Sequence, residues 1–304
     1  MTAIVCMATY NGARWIQDQI DSVVAQTDQD WQLLISDDGS TDGTLDLLRT
    51  CAAGDSRVRV LSPRQAPAGV IGNFEYLLGE AAKMTSDFVA LCDQDDLWDR
   101  DKIAAQRDQL KTAIASCSDP ELINEQGEPL GKRLLDQLKA PDQPDADALL
   151  AQNSVVGCTL AIRPDVLDLA LPFPPGLQNH DWWLALCALC KGPLLCDQQA
   201  LVQYRQHDAN MVGAYRPLRQ LRQLPRLVLR QRQVLLSQLD AVRSLEARLI
   251  ERDCEVPVVL LDYLSEVGAD SLRERMSALA VGRFAAPHAA LRALRLVASI
   301  RGFR

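Results

Sequence analysis

The chain has 304 residues, 48% of them hydrophobic and 24% charged, and a formal net charge of −8, which is typical of an ordinary globular protein of one or two domains. No apolar run approaches the roughly 20 residues that a membrane-spanning helix needs. The first residues also lack the basic segment of a signal peptide. These features argue against an integral membrane or secreted protein and predict a cytoplasmic one.

Nine cysteines are scattered along the chain without metal-ligand spacing, and their odd number argues against a disulfide framework. Cys187 and Cys190 form a C-x-x-C, but the pair lies within an apolar, helix-like run. A redox pair would instead favour an exposed helix N-terminus. We therefore expect all nine to be reduced thiols that pack in the interior.

The charge is unevenly distributed along the chain. Residues 212–304 hold 16 Arg against 9 acidic residues, whereas the first 211 residues hold 16 basic and 31 acidic residues. Such an asymmetry indicates two units with different partners. We predict one domain over residues 1–211 and a basic region over residues 212–304.

Residues 2–117 alternate short apolar runs with amphipathic segments. This pattern predicts strands and helices in turn: strands at 3–9, 31–38, 57–62 and 86–93, and helices at 13–26, 40–53 and 70–84. Ser40 or Thr41 is available as the N-cap of the second helix. Strand–helix alternation predicts an α/β fold with a mostly parallel sheet that is flanked by helices on both faces.

The second half of the chain is less regular. Residues 119–150 are polar, contain four Pro and show no clear period, so a long connection is predicted there. A strand at 157–162, helices at 163–171 and 179–192, and a strand from about 200 into a polar loop follow. From Tyr215 onward Arg and Leu recur at helical spacing, which predicts an all-helical C-terminal extension.

Ligands of such sheets bind beyond the carboxyl ends of the strands. Here those ends carry residues 8–11, Asp37 with Asp38, and residues 93–95. We expect these three segments to meet at one edge of the sheet. No G-x-G-x-x-G follows the first strand and no Walker A loop is present, so neither a nicotinamide cofactor nor a P-loop is expected.

Three carboxylates fall within four positions directly after the fourth predicted strand. Asp93 and Asp95 at a strand end repel each other unless a cation is shared between them, so we favour a divalent cation site. The alternative is an acidic helix N-terminus, which we favour for Asp96, Asp99 and Asp101.

Several of these segments together resemble family 2 glycosyltransferases with the GT-A fold. The matching segments are "ATYNGARWIQDQIDSVVAQT", "DDGSTDGT", "NFEYLL" and "LCDQDDLW", in the family's order, and the resemblance spans residues 2 to about 213. It implies that Asp93 and Asp95 bind Mg²⁺ or Mn²⁺, which in turn holds a nucleoside diphosphate-sugar. The resemblance further implies a set of donor-binding residues: Ala8, Tyr10, Asp38, Asn73, Asp93, Gln94 and Arg205.

The resemblance also implies a catalytic carboxylate at the start of a later helix, where "NHDWW" stands. Asp181 is therefore the candidate general base, and Trp182 and Trp183 are candidate acceptor contacts. His180 replaces the family's usual Glu, as in bacterial rhamnosyltransferases. A plain helix N-cap remains an open interpretation of Asp181.

Two more elements are implied by the same resemblance. His207 in "YRQHDAN" is a candidate third metal ligand, although a lone His is more often a surface residue, and Arg205 and Asn210 are candidates for contact with the diphosphate. Gly157 lies in a segment that resembles the glycine loop beside the acceptor, where the backbone comes close to the substrate.

The expected reaction is a single displacement that inverts the anomeric carbon. The residues of these motifs resemble those of rhamnosyltransferases of surface polysaccharide synthesis. This resemblance implies transfer of L-rhamnose from a dTDP- or UDP-sugar to a saccharide or lipid-linked saccharide. The alternatives are another donor, such as a UDP-hexose or UDP-N-acetylhexosamine, and a sugar-nucleotide pyrophosphorylase-like enzyme. The latter lacks its Gly-rich basic loop after the first strand.

The basic C-terminal helices have two open interpretations. They either pack on their neighbours with a solvated basic face or lie on anionic lipid headgroups at the inner face of the cell membrane. Nucleic acid is not expected as a partner, because aromatic residues do not interleave with the arginines.

Overall fold

A computed structural model describes residues 2–62, 69–138, 143–207, 224–268 and 284. The chain divides into two compact units. Unit 1 comprises residues 1–134, 155–173 and 179–207, and unit 2 comprises residues 135–154, 174–178 and 208–304. The domain boundary predicted at residue 211 stays a prediction.

The described strands are, in chain order, β1 (Ala3–Thr9), β2 (Trp31–Asp37), β3 (Val58–Val60), β4 (Phe88–Cys92), β5 (Leu97–Trp98), β6 (Ala115–Ser118), β7 (Glu121–Ile123), β8 (Pro129–Arg133), β9 (Ala161–Ile162), β10 (Leu194–Asp197) and β11 (Val202–Arg205). The described helices are α1 (Ile16–Val24), α2 (Thr44–Gly54), α3 (Gly69–Ala81), α4 (Lys102–Gln109), α5 (Leu134–Leu138), α6 (Ala146–Ala151), α7 (Asp165–Ala170), α8 (His180–Leu189), α9 (Leu224–Glu251) and α10 (Val258–Glu266), with a 3₁₀ turn, η1, at Gly157–Thr159.

Unit 1 is built on a seven-stranded sheet in the order β10-β6-β9-β4-β1-β2-β3. All neighbouring strands run parallel except β9, which is antiparallel to β4 and β6. The first five residues of β1 and all of β4 are buried, as expected for strands that are covered on both faces. The predicted α/β fold with a mostly parallel sheet is confirmed.

A second sheet of unit 1 has the order β5-β11-β7-β8. It shows that the long connection predicted at 119–150 is wrong, because this stretch forms the hairpin β7–β8 and the helices α5 and α6. The hairpin was missed because β7 pairs with β11, about 80 residues later in the chain, and no local pattern reports that contact. The strands β5, β6 and β10 were not predicted either.

Two local expectations are corrected. The N-cap of α2 is Gly43, in a left-handed conformation, and not Ser40 or Thr41. All nine cysteines are free, but Cys254 is exposed, so the expectation that every thiol packs in the interior is wrong for that residue.

The helical C-terminal extension is confirmed for α9 and α10, which belong to unit 2. The predicted segments at 208–223, which include the candidate Asn210, at 269–283 and at 285–304 lie outside the described residues. No helix in the described part of the chain is both long and apolar enough to cross a bilayer.

Candidate active site

The carboxyl ends of β1, β2 and β4 meet at one edge of the main sheet, as predicted. The peptide N–H of Asp38 donates to the carbonyl of Thr9 at 2.9 Å, which joins the ends of β1 and β2. The side-chain amide of Gln94 joins the ends of β1 and β4, because its oxygen accepts from Tyr10 N and its nitrogen donates to Tyr10 O, both at 2.9 Å. A Cβ at Gly12 would lie 2.2 Å from this amide oxygen, so the bridge requires glycine there.

The predicted donor residues at the β1–β2 side lie together. Asn73 donates from Nδ2 to the carbonyl of Ser36 at 2.8 Å, and Ser36 is the strand partner of Ala8. The carboxylate of Asp38 is buried and accepts from the peptide N–H of Gly69 at 2.8 Å. Tyr10, which follows the last residue of β1, is 57% exposed.

The carboxylate of Asp37 has different hydrogen-bond partners from that of Asp38. Its carboxylate accepts from the Thr9 hydroxyl at 2.8 Å and from the peptide N–H groups of Gly39 and Ser40 at 3.0 and 2.8 Å. These hydrogen bonds stabilise the turn after β2, and they occupy both carboxylate oxygens of Asp37 within the protein.

Two of the three predicted metal ligands, Asp95 and His207, are in direct contact beyond the end of β4. The Nε2 of His207 lies 2.7 Å from the Oδ2 of Asp95, and the His207 ring stacks on Trp15 at 4.3 Å between centroids. Burial, followed by the charges of Asp95 and Asp181, raises the pKa of Asp93 to about 7. Two crowded carboxylates and an imidazole are a donor set that fits Mg²⁺ or Mn²⁺, since a shared cation would remove the repulsion between them.

Asp96 is not a helix-start residue, so that interpretation is wrong. It lies before β5, is fully buried and accepts from the peptide N–H of Arg205 at 3.0 Å, whereas the N-cap position of α4 is held by Asp101. Burial raises the pKa of Asp96 well above its usual range. Ligand atoms of Asp93, Asp96 and Cys158 lie within 4.8 Å of one another, a proximity that the sequence did not reveal because Cys158 is some 60 residues away.

Arg205 is 2% exposed. Its Nε donates to the carbonyl of Asp95 at 2.7 Å and its Nη1 to the carbonyl of Glu125 at 3.0 Å. Glu125 lies in the β7–β8 turn and carried no recognisable signal in the sequence. The described contacts favour a supporting role for Arg205, and its predicted contact with the diphosphate stays a prediction.

Asp181 lies at the second position of α8, after the N-cap residue Asn179, so the N-cap interpretation of Asp181 is wrong. Its Oδ1 accepts from the peptide N–H of Trp182 at 2.7 Å. The carboxylate is close enough to Asp93 for its charge to raise the pKa of that residue. The candidate base therefore adjoins the candidate cation site.

His180 and Gly157 pack beside Asp181. The His180 ring stacks on Phe74 of α3 with centroids 4.2 Å apart, and burial lowers the pKa of His180. A Cβ at Gly157 would lie 3.3 Å from the Nε2 of His180 and 3.7 Å from the Cβ of Asp181. Gly157 therefore packs closely against His180 and Asp181, and its predicted close approach to the acceptor stays a prediction.

Trp182 and Trp183 lie in the core, at 1% and 0% exposure. The indole N–H of Trp183 donates to the carbonyl of Ala170 at 2.9 Å, which ties α8 to α7. A direct contact of either ring with an acceptor would require it to leave this packing.

The comparisons with known proteins identify the family of the chain. The family model described as Glycosyl transferase family 2 matches residues 4–164. The dTDP-rhamnosyl transferase RfbG of Shigella flexneri is 32% identical over 218 residues, which cover 68% of this chain and 74% of the relative. The Escherichia coli protein WfgD, a UDP-Glc:alpha-D-GlcNAc-diphosphoundecaprenol beta-1,3-glucosyltransferase, is 30% identical over 187 residues, which cover 61% of this chain and 68% of the relative.

Among solved structures, the mannosyltransferase PcManGT of Pyrobaculum calidifontis, in complex with GDP-Man and Mn²⁺, aligns with a TM-score of 0.56 and 17% identity. The alignment covers 98% of this chain and 86% of that chain. At this identity the likeness shows the fold, which is the GT-A arrangement that the sequence predicted.

Proposed function

The chain belongs to glycosyl transferase family 2, and from this premise we propose that it is an inverting, cation-dependent sugar transferase whose general base is Asp181. One observation carries the proposal. A Cβ at Gly157 would lie 3.7 Å from the Cβ of Asp181, and the sulfur of the next residue, Cys158, lies within 4.8 Å of a carboxylate oxygen of Asp93, so Asp181 is close to Asp93. The residue that would accept the proton of the acceptor hydroxyl therefore lies beside the residues that would hold the diphosphate of the donor through a cation.

Each group of site residues has one proposed role in the reaction. Asp93, Asp95 and His207 would hold Mg²⁺ or Mn²⁺, which when bound neutralises the charge of the departing nucleoside diphosphate. Asp38, Asn73 and the exposed ring of Tyr10 bind and orient the nucleoside. Asp181 removes the proton from the acceptor hydroxyl, whose oxygen attacks the anomeric carbon from the face opposite the diphosphate. One displacement inverts the configuration at that carbon.

We assign L-rhamnose on a dTDP carrier as the donor. The 32% identity to a dTDP-rhamnosyl transferase supports this choice. WfgD is named as a transferase that uses UDP-Glc, and this supports a UDP-hexose as the second candidate. Its named acceptor is a diphosphoundecaprenol-linked sugar, which supports a lipid-linked saccharide as acceptor here and a cytoplasmic, peripheral location at the inner face of the membrane.

The proposal is tested by measuring nucleotide-sugar binding and transfer separately. We expect wild type to bind a dTDP- or UDP-sugar only with Mg²⁺ or Mn²⁺, and Asp93→Asn to lose this binding. Asp181→Asn should keep the binding and lose about 10²- to 10⁴-fold in transfer, because only proton removal is impaired.

Asp46→Asn is the matched control, since Asp46 is an exposed acid of α2 that pairs with Arg49 on the surface. It should leave both measurements unchanged. If wild type binds no dTDP-, UDP- or GDP-sugar with either cation, the proposal fails.

A further inference from the structure

We propose that Arg205 is a positioning residue, which sets the affinity of the cation site by fixing the main chain at Asp95 against the turn of the β7–β8 hairpin. The inference rests on the proposed function, since it takes Asp93, Asp95 and His207 as the cation ligands. This role differs from a direct contact between Arg205 and the diphosphate, because the guanidinium donates its hydrogen bonds to main-chain carbonyls of the protein itself.

The guanidinium joins two segments that are far apart in sequence. Its Nε donates to the carbonyl of Asp95 at 2.7 Å, and its Nη1 donates to the carbonyl of Glu125 at 3.0 Å. The peptide N–H of Arg205 itself donates to the buried carboxyl of Asp96 at 3.0 Å. The segment that carries Asp95 and Asp96 is therefore held to β11 and to the hairpin by three hydrogen bonds.

The same turn also supports His207. The indole N–H of Trp15 donates to the carbonyl of Glu125 at 3.3 Å, and the ring of His207 stacks on Trp15. The carboxylate of Glu125 pairs with Arg14 at 2.8 Å. The two ligands Asp95 and His207 thus reach the hairpin turn by separate routes, and both routes end at the Glu125 carbonyl.

The chemistry of the contact requires arginine. Two carbonyls in different segments need donors that diverge from a rigid plane, which a guanidinium supplies and a single ammonium does not. At 2% exposure, donors left unbonded by a shorter cation would lose water without gaining a partner. Residues that orient a metal ligand from behind typically change metal affinity by about 10- to 100-fold when they are replaced.

The turn offers a second test that leaves Arg205 intact. Gly127 has φ of +85°, and a Cβ there would lie 3.6 Å from the Nη1 of Arg205. Gly131 in the same hairpin has φ of +62°, but a Cβ there would have no atom within 4 Å. At 3.6 Å this Cβ would be in ordinary van der Waals contact with the guanidinium, so Gly127→Ala acts through strain in the turn that carries the Glu125 carbonyl, whereas Gly131→Ala places its strain in β8.

The experiment is a titration of the full chain with Mn²⁺, followed by electron paramagnetic resonance, first with the metal alone and then with saturating dTDP or UDP. Arg205→Lys should weaken Mn²⁺ binding about 10- to 100-fold. Gly127→Ala should weaken it several-fold, and Gly131→Ala should leave it unchanged.

Stability is measured in parallel by urea unfolding, with Arg107→Lys as the matched control. Arg107 is a partly buried arginine at the opposite edge of the sheet, where it bonds Asp28, Asp87 and the carbonyl of Asp30. Its replacement should lower stability and leave Mn²⁺ affinity unchanged, which separates positioning from general destabilisation.

The outcomes are distinct. If Arg205→Lys binds Mn²⁺ like wild type but loses the nucleotide, Arg205 contacts the diphosphate and the inference is overturned. It is equally overturned if Gly131→Ala weakens Mn²⁺ binding as much as Gly127→Ala. If wild type binds no Mn²⁺ with or without nucleotide, the proposed cation site itself fails.

Discussion

Lys102 is the most unusual single residue outside the candidate site. Its side chain is fully buried, and its Nζ lies 4.3 Å from the centroid of the Trp98 ring. Within the part of the chain that the structure describes, this Nζ has no hydrogen-bond partner. Burial lowers the pKa of Lys102 from 10.5 to about 8. The folded protein therefore tolerates a lysine whose charged form is unfavourable there.

We predict that Lys102→Met stabilises the protein at pH 7 and does so less at pH 10. Because the folded pKa lies below the unfolded one, the unfolded state binds more protons between pH 8 and 10.5, and the cost of burial falls over that window. The full cost, about 3 kcal/mol before the contact with Trp98 is counted, applies below pH 8. Urea unfolding of wild type and Lys102→Met at pH 7 and pH 10 measures the difference in stability between them.

Lys111→Met serves as the comparison, because the Lys111 side chain is 70% exposed and pairs with Asp108 on the surface. The stability difference between Lys111→Met and wild type should be small at pH 7. A Lys102→Met variant that is less stable than wild type at pH 7 would contradict the prediction.

Asp96 shows why residue-level reasoning stopped short. The acids at 93, 95 and 96 look alike in the sequence, and only their surroundings differ. Asp96 faces Arg205 and Cys158, which are 109 and 62 positions away, so its burial was not accessible to a local pattern.

At the scale of elements, three segments meet beside the candidate base. The first turn of α8 presents His180 to Phe74 of α3 on one side and to η1 at Gly157 on the other. A Cβ at Gly157 would lie 3.3 Å from the Nε2 of His180, so the imidazole would have to move by a few tenths of an ångström against its stacking on Phe74. The position of Asp181 therefore depends on the absence of a side chain at Gly157.

We predict that Gly157→Ala lowers the rate of transfer about tenfold or more, while cation-dependent nucleotide binding stays close to that of wild type. A shift of the first turn of α8 would misplace Asp181, and reacting groups displaced by about 1 Å lose on the order of 10²-fold in rate. Steady-state kinetics with the nucleotide-sugar that wild type binds, together with calorimetry for nucleotide binding, measure the two effects.

Gly79→Ala is the control, because a Cβ at Gly79 in α3 has no atom within 4 Å. This variant should keep full activity and gain about 0.5–1 kcal/mol in helix stability. Equal activity of Gly157→Ala and wild type would show that α8 does not depend on this contact.

At the scale of the whole molecule, charge separates the two ends of the chain. Residues 212–304 carry a net positive charge, and the remaining residues carry a net negative one. If the basic region lies on lipid, the full chain should co-sediment with vesicles that contain anionic phosphatidylglycerol. Release by high salt is then expected, because the attraction is screened beyond about 10 Å at 0.1 M salt.

Vesicles of neutral phosphatidylcholine are the control, and the full chain should stay in their supernatant. If the basic region instead packs on its neighbours, neither type of vesicle should sediment the protein. The comparison therefore decides between the two interpretations.

The sequence by itself determined the fold class and the composition of the candidate site. Continuous apolar runs, such as residues 3–9 and 88–92, predict strands of a parallel sheet that is covered on both faces. The carboxyl ends of such strands must then meet at one edge of the sheet. Asp38, Asp93 and Asp95 were found at these strand ends, whereas Asp181 was found through the family resemblance alone.

Only the tertiary structure decided which polar side chains support the main chain rather than bind a ligand. Arg205, Gln94 and Asp37 looked like ligand contacts or turn residues, and the fold turns their donors and acceptors toward the main chain. The same holds for the hairpin β7–β8, which looked like a loop. For Gln94 and Arg205 the physical reason is that their hydrogen-bond partners are 84 and 110 positions away, whereas strand and helix periods depend on immediate neighbours.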